Sequence, residues 1–295
     1  MKFLNTLLLI STFLLSGIVQ AENTTITKLW ETSDNELQTP ESVIHDPKRN
    51  VLYVSNINGA PTEKVENGFI SKLSPEGKIL DLKWFNESLW APKGMAISDD
   101  HLFVADISRV VEIDLASGKL INTYPVEDAV FLNDIAADQN GDLYISDMMT
   151  NTIHRIKDGK IEAWLSNEKL ASPNGVTVVD GQLIVGTWGV MDGEGFETSV
   201  PGHLISISLC SKEITDLGSA EPVGNLDGVE RTSSGNFLVT DWIAGKLLLL
   251  SSDGGVETLL DLDQGSADIE YIKESGLILI PMMKNNKVIA YHYKE

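Results

Sequence analysis

Six copies of one β-hairpin constrain this chain more than any other feature. The clearest copy is FLNDIAADQNGDLYISD, from Phe131. It has a short apolar run, an Asp-Gln-Asn-Gly turn and a second apolar run ending on Asp147. Turn residues of this kind between two short apolar runs specify a β-hairpin. Five further copies follow the same plan: PESVIHDPKRNVLYVSN from Pro40, PKGMAISDDHLFVAD from Pro92, PNGVTVVDGQLIVGT from Pro173, LDGVERTSSGNFLVTD from Leu226 and ADIEYIKESGLILIP from Ala267.

Each hairpin is followed by two more apolar runs, as in TIHRIK and KIEAWL around Asp158-Gly159. Four antiparallel strands recurring at a period of forty-odd residues are the signature of a propeller blade. The sixth copy has only three strands before the chain reaches Glu295, whereas residues 25–32 form a strand without a hairpin partner nearby. The expectation is an all-β, six-bladed β-propeller whose last blade is completed by that N-terminal strand, which removes the exposed edges of an open array. Residues 22–295 are read as this single domain.

Residues 1–21 read as a secretory signal: Lys2, an apolar run, and Val19-Gln20-Ala21 before the break. The expected location is therefore periplasmic or extracellular, with no membrane insertion of the mature form. With Lys2 removed, 43 acidic residues face 22 − 1 = 21 basic ones, a formal charge of −22. No basic stripe is present, which argues against a nucleic-acid partner. The single Cys210 excludes an internal disulfide, and it reads as a small residue at a strand end.

The openings of the six copies align Glu41, Lys93, Asn133, Asn174, Asp227 and Asp268 at one position. Their intervals are 52, 40, 41, 53 and 41 residues. Both excesses fall between second and third strands, at residues 56–68 and 187–202, so two long loops are expected to face each other across one mouth. First strands line a propeller's channel, so the aligned side chains should form a ring there. Glu41, Asn133, Asn174 and Asp227 are hard oxygen donors suited to Ca²⁺. Zinc is a poorer match, with no His or Cys in the ring. The plainer reading is a polar channel mouth that binds water.

The residues after the second strands, Asn56, Asp106, Asp147, Thr187 and Asp241, are expected to accept backbone N–H bonds in the ensuing turn, with Pro281 breaking the pattern. Trp188 and Trp242 come next in the chain, either as pocket walls that contact substrate or as packing between blades.

The motifs PES (from Pro40), LND (from Leu132), SPNG (from Ser172) and LDGV (from Leu226) resemble those of the senescence-marker/gluconolactonase (regucalcin-like) family, whose relatives include paraoxonase and diisopropylfluorophosphatase. The resemblance covers residues 25–295. It implies divalent-ion ligands at Glu41, Asn174 and Asp227, with Asn133 as a ligand or substrate contact. It also implies hydrolysis of small lactones or esters, with calcium or another divalent ion polarising the carbonyl.

In that scheme Asp227 is the first choice for the base, and Glu41 mainly holds the ion. Lys93 is a departure: it would repel a nearby ion, be offset by Asp268, bind a substrate carboxylate or stabilise an oxyanion. No histidine pair of the paraoxonase kind occupies the openings. The second expectation, of a different class, is a non-catalytic propeller that binds a ligand or partner at the same mouth. Fold alone does not choose between them.

Overall fold

The computed structural model describes residues 25–33, 36–192 and 195–295; the expected secretory signal lies outside the described residues. Six four-stranded antiparallel sheets form a six-bladed β-propeller. Blade 3 shows the plan: Leu132–Ala137, Leu143–Asp147, Thr152–Lys157 and Lys160–Ser166, hydrogen-bonded in chain order from channel to rim. Its Asp158-Gly159 turn has positive φ at both residues (49° and 69°), which matches the right-handed twist of the strands it joins.

Blade 6 takes Glu270–Ile272, Leu277–Met282 and Lys287–Lys294 from the C-terminal end and Thr25–Glu31 from the N-terminal end. Thr25 pairs with Lys294 and Glu31 with Ile289, with one bulge between Lys28 and Trp30. The ring is thus closed by backbone hydrogen bonds between distant parts of the chain. Trp30 packs under this closure against the cluster of Leu37, Val43, Leu52 and Leu279. The apolar core lies between neighbouring blades, as where Met95 and Val104 of blade 2 meet Tyr53 and Ile70 of blade 1.

First strands of blades 1 to 5 share one irregularity. Each pairs with its second strand at the first residue, loses register, and resumes at the fourth: Pro40/Val43, Pro92/Met95, Leu132/Ile135, Pro173/Val176 and Leu226/Val229. In blade 6 the bridge Ser266–Met282 precedes the pair Glu270–Leu279. The register shifts by one residue between these two pairs, as it does between Leu226–Asp241 and Val229–Val239 in blade 5. Ser266 therefore corresponds to Leu226, and Ala267 to Asp227.

This corrects the expected ring. Asp268 is not its sixth member; it sits one position later, equivalent to Ser42 and Asp134, and a parallel bridge joins it to Ser42. The same slip applies to Pro281, since the residue paired at the blade opening is Met282. The polar side chain in the sequence Ser-Ala-Asp drew the alignment to the wrong residue.

The two insertions occupy their expected places, and the second is more ordered than a bare loop. Residues Gly189–Met191 pair with Thr198–Pro201 as a separate two-stranded sheet. The first is pinned by reciprocal bonds, Asn58 Nδ2 to Asn67 O (2.8 Å) and Asn67 Nδ2 to Asn58 O (2.6 Å). Cys210 is exposed, just beyond the strand Leu204–Ser208.

Candidate functional site

The bulge in each first strand sends two successive side chains toward the channel. The earlier of the two faces the mouth that carries the long loops. Glu41, Lys93, Asn133, Asn174 and Asp227 all line one cavity of about 430 Å³ at that mouth. The sixth equivalent, Ala267, is buried and adds no polar group. Pro61 and Phe196, from the two insertions, also line this cavity. Asp268 does not; with Asp134, Glu230 and Glu270 it lines a separate chamber of about 240 Å³ further along the channel.

The five floor residues are almost completely buried, at 1–5% exposure. Asn174 is oriented by its Nδ2 donating to Leu226 O (3.1 Å), and its Oδ1 accepts from Asn133 Nδ2. Lys93 Nζ donates to Ala91 O (3.1 Å) and stands 4.4 Å from the centre of the Phe131 ring. Glu41 Oε2 is buried without a hydrogen-bond partner.

Burial, then the neighbouring Asp227 and Asp268, holds the Glu41 carboxyl well above the usual range, against the opposing pull of Lys93. Burial and then Asp268 do the same to Asp227, partly offset by its hydrogen bond with Asn174. Burial lowers Lys93 to about 8 despite the attraction of Glu41 and Asp106.

These features describe a buried acidic site short of positive charge. Among the described residues no three His, Cys, Asp or Glu side chains gather into a metal-binding group, so an ion here depends on amide oxygens as well. Glu41, Asp227 and Asn174, with Asn133 beside them, form such an oxygen set, and the orphaned Glu41 Oε2 is a donor in want of a cation. A divalent ion of the calcium type fits this donor set. Lys93 shares the floor as a competing positive charge.

Rigid second strands hold the floor in place. Ser146 Oγ accepts from Asp134 N (2.9 Å) and donates to Asn174 O (2.7 Å); Thr240 Oγ1 accepts from Gly228 N (2.9 Å) and donates to Ala267 O (2.9 Å). Each hydroxyl satisfies a backbone group freed by the bulge and ties one blade to the next. The following residue has a different role from the one expected in three blades. Asn56, Asp106 and Asp147 accept from Gln38 N, Ala91 N and Phe131 N (2.8–2.9 Å), in the segment leading into the blade rather than in the ensuing turn. Asp241 does bond forward, to Ala244 N (3.0 Å).

Trp188 and Trp242 both line the cavity, their ring centres 6.0 Å apart. Sequence reasoning missed the rest of this wall: Ile57, Phe131, Met148, Phe196 and Met283. The signal was available, because Ile57, Met148 and Met283 occupy the same place after the second strand as the two tryptophans.

No model of a protein family matches this sequence, and no curated protein matches it. Solved structures do resemble it. A gluconolactonase from Xanthomonas campestris has 12% identity and a TM-score of 0.68, with 92% of this chain and 90% of that chain covered. A catalytically inactive virginiamycin B lyase from Staphylococcus aureus, solved with quinupristin, has 17% identity and a TM-score of 0.62, with coverage of 92% and 99%. A chain of a nidogen/laminin complex has 17% identity and a TM-score of 0.60, with coverage of 76% and 86%. At identities this low the likeness shows the shared fold alone.

Proposed function

We propose that this protein is an exported, divalent-metal-dependent hydrolase of small lactones or esters, similar to the senescence-marker/gluconolactonase family and its paraoxonase and diisopropylfluorophosphatase relatives. The observation that carries the reading is the meeting of Glu41, Asn133, Asn174 and Asp227, from four blades, on the floor of one cavity. The gluconolactonase likeness adds support at the level of fold. The signal-like residues 1–21 support export, and the substrate is a small molecule rather than a nucleic acid.

Glu41, Asn174 and Asp227 would hold the ion, with Asn133 as a fourth oxygen donor; calcium suits them best. When bound, such an ion polarises a carbonyl and acidifies water. Asp227 serves as base, because its carboxyl lines the cavity beside the other oxygen donors and can take a proton, which the amides of Asn133 and Asn174 do not. Lys93 Nζ, held by Ala91 O, supplies a fixed positive charge to an acidic substrate or to the oxyanion formed at the carbonyl. The surrounding rings exclude bulk water from the floor and strengthen both effects.

Lys93 also favours a second reading. A buried lysine beside Glu41 can balance the floor's charge without an ion, leaving a binding propeller in which the cavity grips a ligand. Calorimetric titration with Ca²⁺, together with hydrolysis of a lactone and ester panel, separates the two. The hydrolase reading expects binding that weakens in Asp227→Asn and Asn174→Ala, and turnover that EDTA abolishes. Equal Ca²⁺ affinity in all three proteins and no turnover of any lactone or ester would leave the binding propeller.

A further inference from the structure

The wall of the cavity is as informative as its floor. Directly after the second strand of each blade stand Ile57, Ile107, Met148, Trp188, Trp242 and Met283. Six equivalent positions carry six apolar side chains, and all but Ile107 line the cavity. Phe131 and Phe196 fill the spaces between them, with ring centres 5.5 Å apart.

The polar ends of both indoles are already occupied. Trp188 Nε1 donates to Phe196 O (2.9 Å), and Trp242 Nε1 reaches Met283 Sδ (3.0 Å). Near the entrance, Asn286 Oδ1 accepts from Thr39 N (2.8 Å) and Lys284 Nζ donates to Gln264 Oε1. Apart from Thr39, Lys284 and Asn286, what the wall offers a guest is ring faces, thioethers and methyl groups. Its polar capacity is concentrated on the floor.

The rim continues the pattern. Val65, Val130, Met149, Val190, Val200 and Ile243 are all exposed. Each lies just before a first strand or between a second and a third strand, so all six project at this mouth. The opposite chamber is instead lined by four carboxyl groups.

A sugar lactone in this cavity would lose water from several hydroxyls and regain few hydrogen bonds. Each unsatisfied hydroxyl weakens binding roughly tenfold. An alkyl chain or aromatic ring gains instead, roughly fourfold in affinity per buried methylene. We infer that this cavity selects lactones or esters whose body is an alkyl chain or an aromatic ring, and discriminates against polyhydroxylated sugar lactones. The inference rests on the hydrolase reading for the reacting group, and on the wall alone for selectivity.

The test uses the mature chain with Ca²⁺ and two matched probe series. One is δ-lactones with side chains from ethyl to decyl, with glucono-δ-lactone as the polyhydroxylated comparison, followed by kcat/KM. The other is the corresponding δ-lactams, which resist hydrolysis, followed by calorimetry. Lactam affinity and kcat/KM should both climb roughly fourfold per methylene until the cavity is filled. Phe196→Ser, in the partly exposed insertion, and Trp242→Ala, in the next blade of the same apolar cluster, should each raise KM more for the decyl than for the ethyl lactone.

Lactam affinity that climbs without any turnover supports the apolar selectivity and overturns the hydrolase reading alone. A flat lactam series, or glucono-δ-lactone turned over faster than the alkyl lactones, overturns the inference while leaving hydrolysis standing.

Discussion

Asp268 is the most instructive single position to perturb, because it acts on its neighbours through charge. Its carboxyl stands in the channel chamber, with Oδ2 accepting from Ser42 Oγ (2.6 Å), and burial pushes it from 3.8 up to about 7. It also helps to raise Glu41, Asp134, Asp227, Glu230 and Glu270.

A carboxyl whose folded-state pKa is raised contributes stability that is fully present below its unfolded value. That stability is lost as pH rises through the folded value, here about 7. At about 1.4 kcal/mol per pH interval, the span from 3.8 to about 7 sets a ceiling of about 4 kcal/mol. Asp268 is partly open to the channel, so solvent screening reduces this to roughly 1–2 kcal/mol.

Asp268→Asn keeps an oxygen for Ser42 and removes the charge. In EDTA at pH 5 the variant should melt only slightly higher, because the folded wild-type carboxyl is still protonated and only the short interval from 3.8 to 5 works against it. At pH 8 the variant should melt higher, by about 2–8 °C at roughly 2–4 °C per kcal/mol. Differential scanning fluorimetry at the two pH values decides it. A gain of equal size at both, or a loss at pH 8, refutes the reasoning, because either would show that packing and not charge governs the position.

Three further outcomes follow from the geometry. Gly175→Ala would place a Cβ 1.8 Å from Asp227 O; the backbone must shift, so stability should fall by about 3 kcal/mol or more and Ca²⁺ affinity should fall with it, read by chemical denaturation and calorimetry. Removing residues 22–33 strips the strand that pairs with Lys287–Lys294, and size-exclusion chromatography should show association through the bared edge; a monomer of unchanged melting temperature would contradict closure. Replacing residues 190–200 by a short Gly-Ser turn should leave the blade folded, because the strands Gln182–Thr187 and Leu204–Ser208 pair without it, while ligand affinity drops with the loss of Phe196.

Much of this architecture was legible because blades are built from local rules. Alternation and turn chemistry marked the hairpins, and a missing fourth strand in the last repeat identified Thr25–Glu31 as its partner. The polar floor was legible wherever the opening residue aligned without ambiguity, as in Glu41, Asn133, Asn174 and Asp227. Asp268 was misplaced because the repeat has two adjacent channel-facing positions, and in blade 6 the first of them is Ala267. A polar side chain marks facing the channel but not the depth at which it does so. Depth is set by the bulge, whose register depends on backbone pairing between strands. The sheet Gly189–Met191 with Thr198–Pro201 was hidden for a related reason: its short strands have too few residues to show a period.

The bulge also explains how one short motif serves two chambers. At an opening the second residue can line the mouth cavity while the third lines the deeper chamber, as in Asn133-Asp134; Glu41 lines the first and Asp268 the second. Where the third residue is Gly94, Gly175 or Gly228, its missing side chain lets the next blade approach. A Cβ there would lie 1.8–2.3 Å from Asp134 Oδ1, Asp227 O or Ile269 N. Two of these glycines therefore position the floor residue of the following blade, Asn133 after Gly94 and Asp227 after Gly175. The spacing between floor side chains is consequently set by backbone contact between blades, and the hydroxyls of Ser146 and Thr240 fasten it. A floor built in this way has little freedom to rearrange around a guest. Its selectivity must come from the side chains above it, which are the two insertions and the apolar residues that follow each second strand.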